Sequence, residues 1–483
     1  MVSTTDHREG PRDECGVFGV YAPGHDVSKL AYYGLYALQH RGQESAGIAA
    51  ADLGGYIITQ RALGLVSQVF NEHDLRALTG DIAVGHTRYS TTGGNDWENS
   101  QPVHRNDLRE LALAHNGNLV NAVQLHAELA AQGVTFRATT DSEIMAALLA
   151  TTEAPTLADA IAEVMPRLKG AYSTVVMDRD RVHAFRDPQG IRPMVLGQLG
   201  EGAWVVASET CALDIIGATY VRDVEPGELV ILDHRGVTSR MVQPGQRESF
   251  CLFEYIYFAR PDSRMKGNLL QGSRGRMGEI LAREAPVPGA DLVVPVPDSG
   301  IPAARGFSRA TGVPMEDGFV KNRYVQRTFI QPGNELRQQG LRLKFNPLPE
   351  VIGGKSLVVV DDSIVRGNTT RQLVKMLKDA GAKEVHFRIT APPIRNPCHY
   401  GVDMSAREEM VAHERTVEEI REHIGCDSLA YLSLDGVYEA VRGDRAGHCD
   451  ACFTGQYPLE GTESHLGKFA LESRLPMAGA VRG

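Results

Sequence analysis

Nowhere does the chain hold a run of about 18 consecutive apolar residues, so no segment of it reads as a membrane span. Its first fourteen residues, MVSTTDHREGPRDE, lack the apolar core of a secretory signal, which makes the cytoplasm the expected compartment. An excess of positive charge is missing too. The formal net charge is −10 with 23% charged residues, which excludes a general affinity for nucleic acid or anionic membrane. Any anionic substrate must then be met by local basic residues. Cysteine is scarce and odd in number, 7 in 483 residues, a usage that favours catalysis or metal binding over a disulfide framework. A chain of this length has material for two or three domains, each with its own core.

What is present is organised around residues 357–371, LVVVDDSIVRGNTTR. Leu357, Val358, Val359 and Val360 make a short strand of the fully buried, parallel-sheet kind, with Asp361 and Asp362 where it ends. Ser363, Arg366, Gly367, Asn368, Thr369 and Thr370 then offer hydroxyls, a guanidinium and backbone N–H groups before a helix with apolar Leu373, Met376, Leu377 and Ala380. An anion at such a terminus gains about 0.3–2 kcal/mol from the helix alone. The two carboxylates would repel a phosphate, so they fit ribose hydroxyls or a Mg2+ shared with a diphosphate. A second strand, Leu292 to Val296, leads into Pro297-Asp298-Ser299-Gly300 and a helix near Ile301. This repeats the order strand, small polar loop, helix that a doubly wound α/β sheet uses to bind ligands at its strand ends. Between them Val320 to Pro332 interleaves Lys321, Arg323 and Arg327 with Tyr324 and Phe329, with Arg337, Arg342 and Lys344 following. Such a segment is expected to close as a lid over an anionic ligand.

This string resembles the signature of the type I phosphoribosyltransferases, which bind phosphoribosyl pyrophosphate (PRPP). The resemblance implies PRPP contacts from Asp298, Ser299, Gly300, Lys321, Tyr324, Asp361, Asp362, Ser363, Arg366, Gly367, Asn368, Thr369 and Thr370. It also implies Mg2+ beside Ser299, Asp361 and Asp362.

The N-terminal half reads differently. Short β-like segments at Val17 to Tyr21, Gly47 to Ala51, Tyr56 to Thr59, Ile82 to Gly85, Leu111 to Ala114, Thr174 to Met177, Trp204 to Ala207 and Leu229 to Leu232 alternate with helical patterns. The helices are expected near Ser28 to Gln39, Asn121 to Ala131, Ser142 to Ala150 and Thr156 to Leu168, a mixture that suits two packed sheets between helices, an α+β domain. Within it lie ordered polar clusters: Asp13 to Gly19 around Cys15, QHRGQESAG from Gln39, GHTRYSTTG from Gly85, HNGN from His115 and TTDSE from Thr139. Alone, His-Asn-Gly-Asn is a turn signal and Arg88 a surface charge. As an ordered set the clusters resemble the N-terminal-nucleophile glutamine amidotransferases.

A thiolate attacks an amide carbonyl well, but an ordinary cysteine is only slightly ionised at neutral pH and needs a base. Cleavage between Glu14 and Cys15 would free an α-amine with a pKa of about 7.7–8.0 beside the thiol. Removal of a propeptide, Met1 to Glu14, is therefore expected. The resemblance implies that Cys15 is the nucleophile and that Asn116 and Gly117 form an oxyanion hole. It implies Arg88 on the glutamine α-carboxylate and Asp141 on the α-ammonium, with Arg41 and Thr91 as neighbours.

Both halves together are similar to the family of glutamine PRPP amidotransferases, from Cys15 to about residue 460. What this implies is transfer of the glutamine amide nitrogen to C1 of PRPP, through a Cys15 thioester and internally passed ammonia, giving 5-phosphoribosylamine, glutamate and pyrophosphate. That reaction is the first committed step of de novo purine synthesis. The family also implies a homo-oligomer, dimer or tetramer, with purine nucleotides as feedback inhibitors. Cys251, Cys398, Cys449 and Cys452 lie in the PRPP half, and their spacing fits either zinc or a [4Fe–4S] cluster. The family's iron–sulfur, propeptide-bearing branch has cysteines in these contexts and implies a structural [4Fe–4S] cluster. Glycine-, proline- and charge-rich stretches at Val224 to Gly227 and Gln243 to Glu248 place the boundary near 245. The expected division is 1–14 propeptide, 15–245 glutaminase domain, 246–460 phosphoribosyltransferase domain and 461–483 tail of unknown role.

Overall fold

The computed structural model describes residues 15–90, 93–245, 247–322, 345–404, 407–459 and 471–472. The expected propeptide, Thr91, the expected lid segment from 323 onward with Tyr324, and most of the tail lie outside the described residues.

Among the described residues the N-terminal region folds into two antiparallel sheets. One has seven strands in the order Thr219–Asp223, Val195–Gln198, Trp204–Ala207, Gly16–Tyr21, Ile82–Arg88, Ser45–Ala51, Ile58–Leu63. The other has six, in the order Gly236–Met241, Glu228–Asp233, Val182–Arg186, Gly170–Met177, Glu110–Leu119, Val103–Asn106. Val17, Tyr21, Ala49, Ile82 and Val84 of the first meet Ala112, Ala114, Val175, Met177 and Val230 of the second in a dry layer between them. The central strands, such as Gly16–Tyr21, Ser45–Ala51 and Gly170–Met177, are buried on both faces. Helix Val27–Ala37 covers the outer face of the first sheet through Ala31 and Leu35. Helices Ala122–Ala131, Asp141–Thr151 and Leu157–Val164 cover the second. The last is shorter than its apolar period suggests, because Pro166 ends it in a single tight turn, Met165–Arg167.

The C-terminal region centres on four parallel strands in the order Leu292–Pro295, Ser356–Asp361, Glu384–Ile389, Ser428–Tyr431. Helices Ile301–Thr311 and Asn368–Asp379 start just past the first two strands, so both polar loops lie at one edge of the sheet. An α+β region of two packed antiparallel sheets followed by an α/β region built on a parallel sheet is the architecture present, as the sequence leads one to expect. Thr416 and Glu419 form a reciprocal capping box at the helix Val417–Ile424, whose Ile420 and Ile424 are buried.

A buried ionic network joins the two regions. Arg41 is fully buried and its guanidinium is shared between Glu209 and Glu254. Glu209 also accepts from His40 Nε2 at 2.7 Å, Ser263 Oγ at 2.6 Å and the Arg260 N–H at 2.9 Å. Burial works against the Glu209 carboxylate, yet His40 and Arg41 hold it well below the usual carboxylate range. A carboxylate so depressed lends stability above its unfolded pKa of about 4.3, lost as pH falls toward the folded value. Replacing Glu209 with alanine removes one of the two carboxylates that share the buried Arg41 guanidinium, so denaturant titration should show a loss of about 3 kcal/mol, the lower end for breaking a buried ion pair.

Candidate active sites and cysteine site

Cys15 immediately precedes the central strand Gly16–Tyr21, which fixes it against the neighbouring strand that ends at Arg88. Its thiol donates to the Tyr89 carbonyl at 3.3 Å and lies 3.5 Å from the Tyr89 N–H. It opens onto a cleft lined by Arg88, Tyr89, Gln101, His115, Gly117, Thr140, Asp141 and Ser142. Burial pushes the Cys15 thiol up to about 11, although the Tyr89 hydrogen bond and the Arg88 charge pull the other way. In this environment the thiol is protonated at neutral pH.

HNGN is not a turn but the end of a long strand, Glu110–Leu119. Gly117 allows this: its φ is +142°, and a Cβ there would lie 2.0 Å from the Ala171 carbonyl oxygen of the adjacent strand. Asn116 is buried, and among the described residues its Nδ2 has no hydrogen-bond partner. A buried amide donor left unmatched costs about 1–3 kcal/mol, so it is available to an incoming oxygen. Asp141 is the first residue of its helix, where Thr140 is the N-cap, and it accepts the Leu119 N–H at 2.9 Å. Arg88 is buried rather than a surface charge, and Nη1 donates to the Gly94 carbonyl at 3.1 Å. Arg88 and Asp141 therefore offer opposite charges to one cleft, as an amino-acid ligand requires.

Arg41 is not among the residues that line the cleft, and its guanidinium is engaged by Glu209 and Glu254. Gln101, which lines the cleft and accepts the His115 N–H at 2.8 Å, carried no signal in the sequence. Tyr89, His115, Thr140 and Ser142 stand inside the polar clusters, where position alone could have marked them.

In the C-terminal region the two polar loops meet. Ser299 Oγ and Ser363 Oγ each donate to a different oxygen of Asp362. The Asp362 N–H donates to Asp361 Oδ1 at 2.9 Å. Burial raises the Asp362 carboxyl pKa despite these hydrogen bonds and the Arg274 charge, so a cation beside it would be favoured. Asp298, exposed, pairs with Lys321, which lies on the short strand Phe319–Lys321 paired to Phe345–Pro347. Gly367 caps the helix Asn368–Asp379, so Asn368, Thr369 and Thr370 form its first turn, with Arg366 just ahead. Gly300 fits between the Val360 and Val296 carbonyls, which holds the two loops close. Sequence reasoning missed Arg274, a buried guanidinium that donates to the carbonyls of Tyr255, Tyr257 and Ala259 at 2.9, 2.9 and 2.7 Å.

Cys251, Cys398, Cys449 and Cys452 line a single cavity, otherwise walled by groups such as Phe253, Val402, Met404 and Tyr457. Parallel pairing of Phe250–Cys251 with His448–Cys449 sets two of them side by side, and Cys452 follows on the next helical turn. All seven cysteines are free thiols. Burial pushes the Cys251 thiol up to about 11, against the Arg192 charge, and raises Cys449 and Cys452 further. Among the described residues no three His, Cys, Asp or Glu converge as ligands of a single ion. Four soft thiol donors lining one cavity fit either zinc or a [4Fe–4S] cluster. Hard oxygens at Asp361, Asp362 and Ser299 fit Mg2+, which needs few protein ligands when a diphosphate supplies the rest. Cys211 and Cys426 are buried core residues, outside that cavity.

A family model described as "Glutamine amidotransferase domain" matches residues 86–214, and one described as "Phosphoribosyl transferase domain" matches 284–422. The chain is 52% identical over 488 aligned positions to the amidophosphoribosyltransferase of Mycobacterium tuberculosis (strain ATCC 25618 / H37Rv), covering 98% of this chain and 91% of that protein. It is 47% identical to the amidophosphoribosyltransferase of Bacillus subtilis (strain 168), covering 94% of this chain and 95% of the relative. The solved B. subtilis glutamine PRPP amidotransferase complexed with ADP and GMP superposes with a TM-score of 0.88 at 45% identity, over 94% of this chain and 99% of that one. A second solved chain, described as the allosteric regulatory enzyme of purine biosynthesis, gives 0.89 at 46% identity, over 95% and 99%.

Proposed function

The chain belongs to the amidophosphoribosyltransferase family, and from that premise and the geometry of its two sites we propose how its own residues divide the work. The activity is glutamine-dependent amidotransfer to PRPP, the first step of purine biosynthesis. The observation that carries the division is the grouping of Cys15 with Gly117, Arg88 and Asp141 in one cleft, next to the unpartnered Asn116 amide.

Arg88 holds the glutamine α-carboxylate and Asp141 its α-ammonium, which leaves the side-chain amide facing Cys15. Sγ attacks the amide carbonyl, and the oxygen that gains charge is met by Asn116 Nδ2 and the Gly117 N–H. One such donor stabilises the transition state by about 2.7–4 kcal/mol. The proton on Sγ goes to the α-amine of Cys15, freed by removal of Met1 to Glu14, and from there to the departing ammonia. Water then cleaves the thioester to glutamate. Ammonia travels within the protein to C1 of PRPP, whose phosphates are held by Lys321, Arg366 and the first turn of the helix Asn368–Asp379. Asp361, Asp362 and Ser299 would hold Mg2+ there, and the ion would supply positive charge to offset that of the pyrophosphate. Cys251, Cys398, Cys449 and Cys452 hold a structural [4Fe–4S] cluster, since amide transfer moves no electrons. The relative solved with ADP and GMP supports regulation of this chain by purine nucleotides, and the family supports a homo-oligomer.

Two measurements test the finer parts. Intact mass of the active protein should lack Met1 to Glu14; active protein that retains them removes the amine-as-base step. Anaerobically purified protein should carry iron and sulfide in equal amounts and be brown. Cys449→Ser should lose most of both, while colourless, iron-free protein of full activity would remove the cluster.

A further inference from the structure

Residues 398–404 run from the cysteine cavity to the strand that carries Asn116 and Gly117. Cys398, Tyr400, Val402 and Met404 line the cavity. The Tyr400 N–H donates to Cys398 Sγ at 3.4 Å, and the Cys398 N–H to the Met404 carbonyl at 3.0 Å, so the loop is closed on itself at that end. At the other end three successive residues engage the glutaminase region. The His399 carbonyl accepts Asn118 Nδ2 at 3.0 Å, and the Tyr400 carbonyl accepts Arg192 Nε at 2.9 Å. Gly401, at φ +113°, sits so close to Gly117 that a Cβ on it would lie 3.0 Å from both the Cα and the carbonyl carbon of Gly117.

These contacts converge on one peptide. Gly117 is pressed against Ala171 of the neighbouring strand on one side and against Gly401 on the other, with no room for a Cβ on either glycine. The next residue, Asn118, is buried and tied by its side chain to the same loop. We propose that Asn118 and Gly401 are positioning residues for the glutaminase step, clamping the Gly117 peptide so that its N–H and the Asn116 amide face the reacting carbonyl together. This rests on the reading of Asn116 and Gly117 as the oxyanion hole. Neither positioning residue touches substrate. Their effect is on aim, and a misplacement of about 1 Å in such a donor costs about 10²-fold in rate. Binding of glutamine depends instead on Arg88 and Asp141, which stand on a different strand and on a helix.

The test uses the full-length, cluster-replete protein. Glutamine-dependent kcat and KM, and PRPP turnover with ammonia in place of glutamine, are measured for Gly401→Ala, Asn118→Ala and Asn116→Ala. For Gly401→Ala and Asn118→Ala, glutamine-dependent kcat should fall about 10- to 100-fold. Their glutamine KM should stay within about threefold and their ammonia-dependent turnover within about twofold. Parallel loss of both reactions, or a rise in KM alone, would overturn the proposal in favour of a plain interdomain contact. Full glutaminase kcat in both variants while Asn116→Ala loses it overturns the positioning role and leaves the oxyanion reading standing. Full kcat in Asn116→Ala removes the oxyanion reading itself and the proposal with it. Should Gly401→Ala not fold, Asn118→Ala decides alone, and failure of both to fold assigns these residues to stability only.

Discussion

Cys15→Ala is expected to lower glutamine-dependent formation of 5-phosphoribosylamine by at least about 10⁴-fold, the scale seen when a covalent nucleophile is deleted. With ammonia supplied directly, pyrophosphate release from PRPP should persist. The reason is spatial and chemical at once. Cys15 belongs to the N-terminal sheet and its cleft, while the carboxylates and first-turn hydroxyls that hold PRPP belong to the parallel sheet. Removing Sγ takes away the thioester but leaves the second site its own ligands. Retained glutamine-dependent turnover in this variant would reject Cys15 as the reacting group.

The complementary substitution is Asp362→Asn. Here pyrophosphate release should fall by about 10²–10³-fold with either nitrogen donor, the scale of one lost electrostatic contact in a transition state. Asp362 is buried, accepts from Ser299 and Ser363 on its two oxygens, and is bonded through its N–H to Asp361. An amide of the same shape keeps the volume but loses the charge that draws a cation, and it presents an NH2 to one of the two serine hydroxyls. The measurement is pyrophosphate release over a Mg2+ titration, with glutamine and then with ammonia. Selective loss of the glutamine reaction alone would contradict the placement of PRPP at this loop. The pair of variants thus separates the half-sites: one silences a nitrogen source, the other the acceptor.

The parts of this protein that a sequence shows best are local. Leu357 to Val360 cannot be anything but a strand buried on both faces, and the carboxylates and hydroxyls that follow are set by chain direction, so the strand Ser356–Asp361 and its loop were readable in full. The capping box at Thr416 was readable for the same reason. HNGN was legible as chemistry and misleading as structure. Its glycine and asparagines favour turns, yet pairing with Gly170–Met177 extends them as strand, and the tertiary partner decides. Arg41 shows the opposite failure. It stands in a cluster whose neighbours do reach the cleft region, but two buried carboxylates from residues 209 and 254 compete for it, and no pattern near position 41 announces them. The cysteine cavity lies between these cases. Cys449 and Cys452 are neighbours in sequence, whereas Cys251 and Cys398 arrive through a two-residue parallel pairing and a loop, which only the fold supplies.

The coupling of the two halves is the central claim, and product stoichiometry tests it most directly. Glutamate and pyrophosphate released by anaerobically prepared, processed protein are measured with Mg2+ and glutamine, in the presence and absence of PRPP. Equal amounts of both, formed together and only when PRPP is present, are the predicted result. Glutamate formed at an undiminished rate without PRPP, or pyrophosphate and glutamate in unequal amounts, would contradict a single enzyme that hands ammonia from Cys15 to the loop at Asp361 and Asp362.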